Sequence, residues 1–118
     1  MIIKYKTGSL KKVCTNLKEA KKKFSGRIPE KLLAAVNYIE TADNLRDVVN
    51  YSPFHFHDLQ GGRKGKYAID IGGRTSGVRL VLSPLHGNGQ SCSHDEVFGA
   101  CAITIVSVYL EEVTNHYE

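Results

Sequence analysis

"FHFHDLQGGRKGKYAIDI", residues 54–71, is where the periodicity of this chain changes, and its reading decides the fold. Phe54 and Phe56 alternate with His55 and His57. A turn with Gly61 and Gly62 follows, then Arg63, Lys64 and Lys66, and then "KYAIDI". Alternation sends successive side chains to opposite faces of a strand. "FHFHDL" and "KYAIDI" therefore read as two strands joined by a glycine-bearing turn. "GVRLVLSP", residues 77–84, reads as a third.

Upstream of Pro53 the spacing is helical. Leu10, Val13, Leu17, Ala20 and Phe24 recur at three- and four-residue intervals and leave the lysines outside, with Ser9 as the expected cap and Gly26 as the stop. Pro29 opens a second helix, where its missing N–H costs nothing, and Leu32, Leu33, Val36 and Ile39 line its buried side. Asp43 is expected to cap a short helical turn to Val49. "MIIKYK" reads as a first strand and "CAITIVSVYLEEV", residues 101–113, as a last strand apolar enough to lie inside the sheet. Residues 84–99 show little periodicity and read as a long, mobile loop. The expected architecture is one α+β domain over residues 1–118: an N-terminal strand and two helices packed on one face of a curved antiparallel sheet.

A chain of 118 residues can bury a core without staples. Cys14, Cys92 and Cys101 form no CxxC pair, which argues against a disulfide framework. Cys92, His94, His86 and Asp95 invite comparison with a zinc site. No second close Cys/His pair completes it, so no metal and no cofactor are expected. No apolar run reaches membrane length and the first residues lack a secretion signal, so a cytoplasmic protein with no membrane partner is expected.

Charge is unevenly spread. Residues 1–27 hold nine Lys/Arg against Glu19 alone, a net +8, while the remainder sums to −4. A basic segment suits a polyanion or an acidic partner, although Lys21, Lys22 and Lys23 also read simply as a solvated helix face.

In the strand half, His57 closes one strand. Arg79 lies between Val78 and Leu80, so it points away from them to the open face of the sheet. His116 and Tyr117 follow the last strand. A histidine, an arginine and a tyrosine supply what 2′-hydroxyl attack on a phosphodiester needs: a base, charge stabilisation and an acid. The plainer alternatives are an ion pair of Arg79 with Asp70 or Glu112, and a packing or strand-edge role for His55 and Phe56. GxSxG and GxxxxGK[ST] are absent, which disfavours serine hydrolases and P-loop NTPases.

Taken in order, His57-Asp58-Leu59-Gln60-Gly61, Lys64-Gly65-Lys66-Tyr67, Arg79 and Asn115-His116-Tyr117 resemble the RelE/ParE superfamily of toxin–antitoxin toxins, closest to the HigB-like (plasmid-maintenance killer) branch. The family's tail more often reads Asp-Tyr-His, the reverse order of His116 and Tyr117. The resemblance implies a RelE-like fold and a ribosome-dependent mRNA endoribonuclease that inhibits translation without metal. It implies the ribosome, mRNA and a cognate helix-turn-helix antitoxin as partners. His57, Arg79, His116 and Tyr117 would form the catalytic set, and Arg63, Lys64, Lys66 and Arg74 would contact RNA. Two other readings fit the same resemblance: a ParE-like toxin that binds gyrase, and a catalytically inert RNA- or protein-binding member of the fold.

Overall fold

Thr7, rather than Ser9, opens the first helix, its Oγ1 accepting the Leu10 N–H at 3.0 Å. In the computed structural model, which describes residues 1–63 and 65–115, β1 (Ile2–Tyr5) leads into α1 (Gly8–Thr15) and α2 (Leu17–Lys23). The expected single helix is broken at Asn16. Its backbone is extended, and its side chain accepts the Glu19 N–H at 3.2 Å, so one residue ends α1 and caps α2. Next come α3 (Ile28–Thr41) and α4 (Leu45–Val49), the latter capped by Asn44 instead of Asp43. The strand half holds β2 (His57–Asp58), β3 (Tyr67–Ile71), β4 (Val78–Leu85), α5 (His94–Phe98) and β5 (Ser107–Asn115).

These strands form one sheet in the order β1-β5-β4-β3-β2. The sheet is mixed rather than antiparallel throughout, because β1 pairs with β5 in parallel, Ile2 beside Ser107 and Tyr5 beside Leu110. The other pairs are antiparallel. β5 lies inside the sheet, as its apolar sequence requires. One face presents Ile69, Ile71, Leu80, Leu82, Val108 and Leu110, which pack with Leu32 and Ile39 of α3 and with Leu45 of α4 in a single cluster. Burial of each large aliphatic side chain contributes about 2 kcal/mol. No helix among the described residues is long and apolar enough to cross a membrane.

Two segments depart from expectation in ways that shape the site. "FHFHDL" supplies only the two-residue β2. Ser52–Phe54 coils into a 3-10 turn, and His55 then takes a left-handed conformation at φ 46°. Residues 84–99 are ordered by local bonds. Leu85 bridges Ser91, the Cys92 N–H donates to Pro84 O at 3.0 Å, and Gly89 turns the chain at φ 88°. Ser93 and Glu96 then form a reciprocal capping box that starts α5.

Candidate functional site

The second face of the sheet carries a buried carboxylate. Asp70 sits in β3, directly across from Arg79 in β4, so both side chains leave the sheet on the same side. Arg79 Nε lies 3.7 Å from Asp70 Oδ1. The other carboxylate oxygen, Oδ2, faces His55 Nδ1 at 3.2 Å. A carboxylate this deep needs such partners, since desolvation of an unpaired charge costs several kcal/mol. The ion pair with Asp70 anticipated for Arg79 is therefore present, and it is part of a larger group.

His57 joins that group through His55. Its Nδ1 is 2.7 Å from the His55 carbonyl oxygen, and the two imidazoles lie 4.9 Å apart with their planes 33° from parallel. A carbonyl only accepts, so Nδ1 of His57 carries the hydrogen and Nε2 keeps the lone pair in the neutral ring. One nitrogen from each histidine and one oxygen of Asp70 all lie within 4.8 Å of one another. The left-handed backbone of His55 places its side chain against Asp70 while its carbonyl turns to His57. Backbone strain of this kind gathers at functional sites.

The remaining candidates divide. Lys66 is bound to Glu111, Nζ to Oε2 at 2.6 Å, and Glu111 also meets Lys6 at 3.9 Å. Glu111 occupies this position because the β4–β5 register shifts between Val81 and Leu82 and leaves it as the extra residue. Arg74 is exposed in the turn between β3 and β4. Lys64, His116 and Tyr117 lie outside the described residues, as does the side chain of Arg63. The last described residue, Asn115, pairs with Val78, one position from Arg79. Thr114 is the register partner of Arg79, and its Oγ1 is buried with no hydrogen-bond partner among the described residues.

Of the two phenylalanines, Phe54 is buried and Phe56 stacks on Tyr67 with centroids 5.4 Å apart. Phe56 is thus a packing residue as expected, whereas His55 belongs to the polar group. The sequence pattern does not mark Asp70 or Thr114 as site candidates. From the sequence Asp70 figures only as an alternative partner of Arg79, although a single charge inside the buried strand "YAIDI" signals a required counter-charge.

The two buried cysteines are not poised as nucleophiles. Burial pushes the Cys14 thiol up to about 12. Burial, then the nearby Glu96 charge, pushes Cys92 up to about 11. Neither is a thiolate nucleophile near neutral pH.

Fold and site together define an α+β domain with a histidine–carboxylate–arginine group on the sheet face opposite its main core. No protein-family model matches the chain, and no curated protein matches it.

Proposed function

We propose that the protein is a metal-independent endoribonuclease of the RelE/HigB-like toxin type, acting on mRNA at the ribosome and held in check by a cognate antitoxin. The observation that carries the reading is the gathering of His57, His55 and Arg79 around the buried Asp70 carboxylate. His57 Nε2 would accept the proton of a ribose 2′-hydroxyl. The freed O2′ then bonds to the adjacent phosphorus as the bond from phosphorus to O5′ breaks, leaving a 2′,3′-cyclic phosphate. A proton returned to O5′ completes the step, supplied by His116 or Tyr117. Arg79 stabilises the charge that develops on the phosphoryl oxygens.

A second reading, an inert RNA- or protein-binding member of the same fold, is favoured by one observation. Arg79 and Lys66 are both already engaged by carboxylates of the chain.

Induced expression followed by primer extension separates the two. The enzyme reading expects growth arrest with discrete cuts in transcripts, both relieved by His57→Ala and by Arg79→Ala. Arrest with uncut mRNA, or cuts that survive His57→Ala, would count against it. DNA damage with intact mRNA would point to a gyrase-binding toxin.

A further inference from the structure

His86, Cys92 and Glu96 meet at the far end of β4. Arg79 and Leu85 are six residues apart on one strand, so this group stands roughly 20 Å along β4 from Arg79. His86 follows β4, Cys92 lies on the returning leg of the hairpin, and Glu96 is in the first turn of α5. One nitrogen, one sulfur and one oxygen from the three residues lie within 4.8 Å of one another. The zinc grouping considered from the sequence is thereby revised. His94 faces Asp58 at 3.7 Å and Asp95 at 3.9 Å, and Glu96 takes their place beside His86 and Cys92.

We propose that His86, Cys92 and Glu96 form a Zn²⁺-class metal site that pins the 84–92 hairpin to α5. Zinc bonds of about 2.0–2.1 Å to nitrogen or oxygen and about 2.3 Å to sulfur set tetrahedral edges of about 3.3 Å (N···O) and about 3.6 Å (N···S). His86 Nε2 and Glu96 Oε1 already stand 3.1 Å apart. The sulfur, within 4.8 Å, needs to move by no more than about 1.2 Å to reach its tetrahedral edge.

The backbone beneath the three ligands is held in place. Cys92 N–H donates to Pro84 O at 3.0 Å and His86 N–H to Gln90 O at 2.8 Å. The Ser93 N–H donates to Glu96 Oε1 at 2.7 Å, the kind of outer contact that orients a ligating carboxylate. A thiol with an imidazole and a carboxylate selects a borderline-soft ion over Mg²⁺ or Ca²⁺. On binding, the S–H bond breaks, a metal–sulfur bond forms and one proton passes to solvent, while the hydrogen that His86 Nε2 shares with Glu96 moves to Nδ1 and frees the Nε2 lone pair for the metal. His86 and Glu96 are half-buried, so the fourth position is reachable by water. The other His-containing group is less suited, because Asp70 already holds a guanidinium.

Cobalt tests this directly. Chelator-treated, full-length protein kept reduced without added thiol is titrated with Co²⁺. The expected result is one ion per chain, with visible d–d bands of a tetrahedral ion and a near-ultraviolet thiolate-to-cobalt band. Cys92→Ser should abolish the thiolate band, whereas Cys101→Ser and His57→Ala should leave it intact. His86→Asn and Glu96→Gln alter half-exposed side chains, keep the fold measurable by circular dichroism, and should weaken Co²⁺ binding at least about 10-fold. Zn²⁺ should raise the thermal midpoint of the wild type and not of His86→Asn. The site is refuted if the thiolate band survives in Cys92→Ser, if no tetrahedral spectrum forms, or if His57→Ala abolishes binding while His86→Asn does not.

Discussion

Asp70→Asn keeps the shape of the side chain and removes its charge, so it isolates what the carboxylate does. In the wild type Asp70 is 5% exposed, accepts from His55 Nδ1 at 3.2 Å and faces Arg79 Nε at 3.7 Å. At the effective dielectric constant of such sites, the attraction to Arg79 is about 4 kcal/mol. Removing the buried charge also returns several kcal/mol of desolvation. Downgrading the charge-assisted bond from His55 to a neutral one loses about 1 kcal/mol. The Arg79 side chain is 36% exposed and that of His55 41%, so both can be rehydrated and the full penalty for an orphaned buried charge does not apply. The net expectation is destabilisation of about 2 kcal/mol. Equilibrium urea unfolding should show a lower midpoint at unchanged slope, and the thermal midpoint should fall by roughly 8 °C. Combined with Arg79→Ala, the two changes should be non-additive by more than about 0.5 kcal/mol, because they share one interaction. A variant as stable as the wild type, or strict additivity with Arg79→Ala, would show that Asp70 does not organise the group.

Two further outcomes are expected from other parts of the molecule. Glu111→Gln releases Lys66 from its 2.6 Å ion pair; stability should change by less than about 1 kcal/mol. If the sheet face binds RNA, the salt dependence of that binding should steepen by about one charge, whereas an unchanged slope would remove Lys66 from the interface. The Cys14 thiol, raised by burial from 9.0 to about 12, contributes stability that is fully present below pH 9.0 and lost as the pH rises to about 12. Cys14→Ala should therefore lose less stability than the wild type across that window in urea melts at stepped pH, and equal losses would contradict the sign.

Much of this arrangement is legible in the sequence because the pattern and the burial agree. Val78, Arg79 and Leu80 alternate in a strand with one apolar face, so the direction of Arg79 follows from its two neighbours, and the structure places it there. The helical half is equally plain up to Asn16, a residue able both to cap a helix and to end one. In residues 84–99 the signals are chemical rather than periodic. Asn88-Gly89 marks a tight turn, and Ser93 with Glu96 marks a helix start; a search for apolar spacing passes over both. His55 was hidden for a different reason. Its role follows from a positive φ at a non-glycine residue, which no pattern of side chains announces.

The parallel pairing of β1 with β5 has a kinetic consequence. Ile2 finds its neighbour Ser107 only across a loop of about a hundred residues, and closing so long a loop carries an entropic cost that grows with the logarithm of its length. β5 also stands between β1 and β4, so until residues 107–115 are in place the sheet exists as two unconnected parts. A nascent chain emerging from the ribosome would hold its helices and the hairpin of β3 and β4 early, with the first strand waiting for the last. His55, His57, Asp70 and Arg79 all lie before residue 80, so the polar group draws only on β2, β3, β4 and the turn before them, and β5 later brings Thr114 beside Arg79. Gathering of that group and closure of the sheet are then separable events, and the docking of β5 is the later of the two.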